Sequence, residues 1–148
     1  MAHEFIQHLV EDHEKQRRLG EQLRNAKDPK QREKLRQEFY DAVMPHVVGE
    51  EASLFRYMQE AGGKAREEAL KAIQEHHVAK LVLRELMDLS LETEVFNPKG
   101  YVLDEMNRHH MNEEEKTHFP MLEGMASRQK LDELFQDYQE AEEKKEGG

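Results

Sequence analysis

One ten-residue pattern occurs twice in this chain. His46-Val47-Val48-Gly49-Glu50-Glu51-Ala52-Ser53-Leu54-Phe55 and His110-Met111-Asn112-Glu113-Glu114-Glu115-Lys116-Thr117-His118-Phe119 share the form H-x-x-x-E-E-x-x-x-F. An acid–histidine pair stands upstream of each copy, Asp12-His13 before the first and Glu75-His76 before the second. The histidines are 33 and 34 residues ahead of their partners. A histidine and a carboxylate four residues apart lie on one helix face, one turn from each other. Two such faces and two faces with a single histidine bring together four imidazoles and two carboxylates. That is the ligand inventory of a two-metal site inside a four-helix bundle.

The rest of the sequence is compatible with such a bundle. A first helix is predicted from about Ala2 to Asn25, with Ile6, Leu9, Val10 and Leu23 toward the core. Asp28-Pro29 then reads as a cap followed by proline at the first helical position, with Gln31 completing a capping box. The second helix runs to about Glu60 and stops at Gly62-Gly63, with Pro45 expected to bend it just before His46. A third covers roughly Lys64 to Thr93. Asn97-Pro98 repeats the cap-and-proline signal for a fourth, which runs to about Glu123 and ends at Gly124. Leu131, Leu134, Phe135 and Tyr138 mark a short amphipathic helix packed across the bundle, and Glu142 to Gly148 a charged, frayed tail. No stretch alternates like a strand. The expected fold is all-α, an up-down-up-down four-helix bundle over residues 1–125, with a short C-terminal helix and tail over 126–148.

Composition removes several classes of function. With 148 residues the chain is one domain with a sizeable core. It has no cysteine, which excludes disulfides, thiolate zinc sites and cysteine-held iron–sulfur clusters. No apolar run is long enough to span a membrane, and the N-terminus lacks the basic, apolar pattern of a signal peptide, so a cytoplasmic location is the default. The net charge of −10 repels phosphate backbones and argues against nucleic acid as a partner. A mean hydropathy of −1.01 alone would suggest disorder, but the apolar residues fall at helical spacing.

His13, His46, His76 and His110 with Glu50 and Glu114 are therefore the candidate metal ligands. First-row ions accept imidazole nitrogen and carboxylate oxygen, and a carboxylate can bridge two ions. Glu50 and Glu114, one turn after a histidine, suit the bridging role, so each ion receives two histidines and both glutamates. The faces agree. Leu35, Phe39, Ala42, His46, Gly49, Ser53 and Tyr57 share one, with Gly49 leaving room for metal; Leu103, Met106, His110, Glu114, Thr117 and Met121 share another. Glu51, Glu113 and Glu115 read as solvated or as supporting the ligands. His3, His8, His109 and His118 read as exposed, and core packing is the default for Tyr40, Tyr57 and Tyr101. His76 and His77 compete for one position, since neighbours on a helix point about 100° apart. Spacing to His110 suits His77, and the acid–histidine match favours His76.

These motifs together resemble the hemerythrin-like HHE cation-binding domains. The residues that carry the likeness are Asp12-His13, His46 to Glu51, Glu75-His76-His77-Val78-Ala79-Lys80, and His110 through Glu114-Glu115 to Phe119-Pro120. The resemblance implies a non-haem di-iron centre bridged by an oxygen atom and two carboxylates. The cofactor would be two iron ions, with the four histidines as terminal ligands and Glu50 and Glu114 as bridges. The chain departs from the oxygen-carrying members, which have a fifth histidine in an H-x-x-x-H pair and end on H-x-x-x-x-D. Here Lys80 follows His76 by four residues, and the last motif is His110-x-x-x-Glu114.

The preferred expectation is a di-iron protein that binds or reacts with dioxygen, nitric oxide or peroxide in a sensing, protective or redox role. Its partners would be a small gaseous or peroxide ligand and an external electron donor, because no flavin, nucleotide or haem motif is visible. The alternatives are a reversible oxygen carrier or store, and an iron-binding or supply protein without turnover. A bundle whose histidines merely pack is the reading without metal.

Overall fold

The computed structural model describes residues 2–147, and the described residues contain helices and no strand. The helices are α1 (Glu4–Arg24), α2 (Pro29–Ala52), α3 (Leu54–Ala61), α4 (Gly63–Asp88), α5 (Phe96–Glu113), a π turn (Glu114–His118), α6 (Phe119–Met125) and α7 (Arg128–Gly147). The bundle has four rods: α1, α2 with α3, α4, and α5 with the π turn and α6. Their short connections make sequential rods antiparallel, as expected. No helix among the described residues is long and apolar enough to cross a membrane.

Local signals explain the helix ends. Asp28 caps α2 by accepting from the Gln31 amide at 2.9 Å, and Gln31 accepts from the Lys27 amide at 3.1 Å. Gly62 and Gly63 end the second rod at φ 76° and 58°, a region other residues avoid. The third rod stops at Asp88, five residues before Thr93. Asn97 does not cap the fourth. That helix starts one residue earlier, and Asn97 instead donates to the Ala26 carbonyl (2.7 Å) and accepts from Arg32 (3.2 Å), tying the start of α5 to the α1–α2 connection and the first turn of α2. The C-terminal helix extends through Gly147, past Glu142 where a frayed tail was expected; Gly148 lies outside the described residues.

Both motif-bearing rods leave α-helical geometry at or just after the paired glutamates. Pro45 is accommodated inside α2, and the interruption comes at Ser53 (φ −124°, ψ −96°). There the Ser53 hydroxyl donates to the Gly49 carbonyl at 2.7 Å, competing with the backbone ladder. In the second copy the helix widens into the π turn, whose last bond runs from the Phe119 amide to the Glu114 carbonyl. Pro120 follows and has no N–H to return to the preceding turn, so the helix must yield there.

The core has two apolar parts. One gathers Phe5, Leu9, Leu54, Phe55, Ala69, Phe119 and Leu122 with Leu131, Leu134 and Tyr138 of α7. The other gathers Leu23, Phe39, Val43, Val47, Leu83, Leu86, Phe96 and Leu103. A buried polar set belongs to neither: His13, His46, Glu50, His76, His110 and Glu114. Helix α7 lies along α2 and touches α1.

Candidate metal centre

Each of the four rods delivers part of that polar set to the bundle interior. His13 comes from α1, His46 and Glu50 from α2, His76 from α4, and His110 from α5 with Glu114 at the start of the π turn. All six residues are at most 8 % exposed, and both glutamates are fully buried. Their facing atoms form two four-residue groups, His13–His46–Glu50–Glu114 and His76–His110–Glu50–Glu114, which share the two carboxylates. Within each group the candidate ligand atoms lie within 4.8 Å of one another. His76 is buried in the cluster and its neighbour His77 is exposed, so geometry follows the acid–histidine match.

The outer nitrogens of the four imidazoles are all engaged. His13 Nδ1 lies 2.6 Å from Glu115 and His76 Nδ1 lies 2.8 Å from Glu51. His46 Nδ1 lies 3.0 Å from Asp12, and His110 Nδ1 lies 3.0 Å from Glu75. The sequence repeat is therefore a spatial one. The second glutamate of each E-E pair holds the upstream histidine of the other hairpin. The acid of each acid–histidine pair holds the histidine of the H-x-x-x-E motif. A carboxylate on Nδ1 holds that nitrogen's proton outward and turns Nε2 inward. Arg17 (2.9 Å) and Lys80 (3.5 Å) in turn reach Glu115 and Glu51.

The inner atoms are the opposite case. All four Nε2 atoms and all four oxygens of Glu50 and Glu114 are buried with no hydrogen-bond partner. They approach one another at 2.8–3.9 Å, but without the directions a hydrogen bond needs. Leaving one buried polar atom unpaired costs about 1–3 kcal/mol. Eight converging orphans, all nitrogen and carboxylate oxygen, fit a pair of first-row cations, whose bonds of roughly 2.0–2.2 Å place neighbouring ligands at about such separations.

Without an ion the cluster balances its own charge. Burial opposes a charge on His46, but Glu50 and Asp12 beside it win and push its pKa up to about 10. Burial likewise opposes a charge on His110, and Glu114 and Glu75 push it up to about 9. His13 and His76 move the same way, against their burial, through the carboxylates on both ring nitrogens. Glu114 is held well below the usual carboxylate range, its burial outweighed by His110, His13 and His76. A cation entering the cluster therefore replaces protons.

Aromatic rings flank the histidines. Phe119 stacks on His13 with centroids 5.5 Å apart, and Phe55 meets His76 edge-on at 5.6 Å. These are the phenylalanines that close the two copies of the repeat. His118 is buried beside Phe55, not exposed, with its Nε2 3.7 Å from Glu68. His3 is also no idle surface residue: it caps α1 through the Phe5 amide and pairs with Asp132 of α7 at 2.7 Å. His8 is half-buried against Phe135 and Tyr138 of α7. His109 is exposed, as expected.

The residue that sequence reasoning missed is Tyr138. Tyr40, Tyr57 and Tyr101 are not at the cluster; Tyr101 is exposed under the Arg24 guanidinium. Tyr138 is fully buried, donates to Asp12 at 2.6 Å, and sits 2.8 Å from His46 Nδ1. Its ring fills the space over Gly49, where an added Cβ would lie 2.6 Å from two ring carbons. Gly49 therefore makes room for a tyrosine of α7 and not for metal. One signal was available: the repeat places Glu113 opposite Gly49, so this one small residue breaks the pattern.

A helical bundle whose four rods converge on a buried histidine–carboxylate cluster belongs to the class of helix-bundle metal proteins. A family model for the hemerythrin HHE cation binding domain matches residues 4–122, and the chain belongs to that family. No curated protein and no solved structure matches the chain. Family and buried clusters together point to metal binding.

Proposed function

We propose that this is a non-haem di-iron protein that binds or reacts with dioxygen, nitric oxide or peroxide. The observation that carries the metal reading is the set of eight inward atoms without partners, backed by four outward nitrogens that all have one. We assign His13 and His46 to one ion and His76 and His110 to the other, with Glu50 and Glu114 shared. Iron rather than zinc or copper is a family inference, since affinity alone favours the later metals. When bound, the pair of irons would supply redox chemistry and open positions for a small ligand.

The chain's own residues set the conditions. Asp12, Glu51, Glu75 and Glu115 hold each imidazole in the tautomer that presents Nε2 and keep it strongly donating. Phe55, Phe119 and the two apolar clusters exclude bulk water, which strengthens electrostatic interactions inside. Lys80 stands where oxygen carriers place a further histidine, and here it pairs with Glu51 at 3.5 Å. One nitrogen fewer leaves more exchangeable positions, which favours reaction or sensing over reversible carriage. Electrons must come from an external donor. The bundle of residues 1–125 would hold the metals in a cytoplasmic protein, with 126–148 covering one side.

Metal analysis of protein expressed without a histidine tag tests the centre: about two irons per chain are expected. No bound metal after iron-replete, reducing expression would refute it. Mixing anaerobic reduced protein with air tests the chemistry. Rapid passage to the oxidised spectrum is expected, and a long-lived oxygen complex released intact under vacuum would favour the carrier reading instead.

A further inference from the structure

The sequence repeat makes the two halves of the cluster equivalent, but the tertiary structure does not. On the His13–His46 half, α7 lies over α2 and seals the site with Tyr138. The Tyr138 hydroxyl bonds Asp12, the acid that holds His46, and its ring occupies the gap at Gly49. On the other half nothing corresponds among the described residues. The counterpart of Gly49 is Glu113, and the counterpart of Asp12 is Glu75, whose side chain is 40 % exposed against 25 % for Asp12. The His110 side chain is 10 % exposed and that of His46 is 4 %. Beside His76 and His110 lies a cavity of about 300 Å³, walled mainly by Val43, Val47, Ala79 and Met106. Exposed Val78 and His109 stand at its lining. Helix α7 lies entirely beyond the residues matched by the family model.

We propose that α7 makes the two halves of the centre unequal: Tyr138 closes the His13–His46 half, and the apolar cavity leaves the His76–His110 half as the side where metal and small uncharged ligands exchange. This rests on the two-metal reading above. Tyr138 acts here as a positioning residue. It fixes Asp12 and through Asp12 the ring of His46, so one ion must break a longer chain of contacts to leave. An apolar wall admits small neutral molecules and disfavours hydrated anions, and the carboxylate of Glu75 in its lining repels anions further.

The test is release of metal from the intact full chain. Metal-free protein is loaded with two equivalents of cobalt(II) and mixed with excess chromophoric chelator. Release in two phases of equal amplitude, one ion each, is expected. Tyr138→Phe keeps the ring over Gly49 but loses the bond to Asp12, and should speed the slow phase about tenfold while leaving the fast phase alone. Ala79→Phe fills the cavity and should slow only the fast phase. It should also slow nitric oxide binding to the ferrous-loaded protein, which Tyr138→Phe should not. Chain that takes up no cobalt would overturn the metal reading itself. Two ions leaving in one phase, or either substitution shifting both phases alike, would overturn the inequality and leave the metal reading standing.

Discussion

Replacing Gly49 by alanine should destabilise the protein, against the ordinary behaviour of glycine in a helix. Gly49 lies near the end of α2, where alanine normally adds about 0.5–1 kcal/mol. Here the new methyl group would lie 2.6 Å from Cδ2 and Cε2 of Tyr138 and 3.2 Å from Cγ. These are atoms of a rigid, fully buried ring whose hydroxyl is fixed by Asp12 and His46, so it cannot swing aside cheaply. Overpacking costs about 1–3 kcal/mol, and a contact with a fixed ring belongs in the upper half of that range, about 2–3 kcal/mol, so the net loss is about 1–2.5 kcal/mol once the helix gain is subtracted. For a chain of this size that is a fall of roughly 2–10 °C in Tm. Gly124→Ala is the control. It lies in α6, nothing stands within 4 Å of an added Cβ, and it should raise Tm. The assay is thermal unfolding of metal-free protein by circular dichroism, which separates packing from metal binding. In a Tyr138→Leu background the penalty at Gly49 should shrink or reverse, since neighbouring substitutions couple. If Gly49→Ala raises Tm as Gly124→Ala does, Tyr138 does not pack on Gly49 and the account of α7 is wrong.

Other outcomes follow from the same geometry. Metal uptake at pH 7 should release at least two protons per chain, because His46 and His110, pushed up to about 10 and about 9, are protonated in the empty site. Calorimetric heats that do not depend on the buffer's ionisation enthalpy would contradict this. The raised histidines stabilise the metal-free fold fully below their ordinary pKa of 6.5, and that contribution is lost as pH rises through about 9 to 10. Asp12, Glu51, Glu75 and Glu115 are lowered, each against its own burial; the bond to His110 is the largest influence on Glu75, and burial is the largest on the other three. Their contribution is present above the ordinary values of 3.8 and 4.5 and lost as pH falls. Metal-free Tm should therefore peak between those limits, whereas the loaded form should lose its extra stability in acid as protons displace metal; a metal-free Tm that climbs through pH 10 would disprove the ion-pair account. His76→Ala should lower metal content sharply and His77→Ala should not, and equal losses by elemental analysis would leave the facing of His76 without functional meaning. Glu51→Gln and Glu115→Gln should weaken metal affinity by about 10- to 100-fold, and Glu113→Gln should change it little. Equal effects in competitive titration would remove the distinction between the paired and unpaired glutamates.

What the sequence determined by itself is periodic. A histidine and a glutamate four apart must share a helix face, a glycine pair must end a rod, and a repeat of H-x-x-x-E-E-x-x-x-F must yield two similar hairpins. Those are local consequences of 3.6 residues per turn, so the bundle, the rod order and the six inward residues were legible before any coordinates. The boundary at Thr93 was not, because Leu89 and Leu91 continue the apolar pattern past the true end at Asp88, and Leu89 turns to extended backbone with no glycine or proline to mark the stop. Asn97 carries the letters of a cap, yet it serves Ala26 and Arg32, partners more than 60 residues away in the chain. Only the tertiary structure decided which acid holds which imidazole. Asp12 stands beside His13 in sequence but serves His46, since adjacent side chains on a helix diverge and rods facing each other converge. It also decided the role of Tyr138. In sequence Tyr138 is one apolar position among four on an amphipathic helix; folded, α7 lies along α2, sets the Tyr138 ring over Gly49 and puts that hydroxyl against Asp12. Side-chain spacing fixes what one helix presents, and the packing of helices against each other fixes what it is presented to.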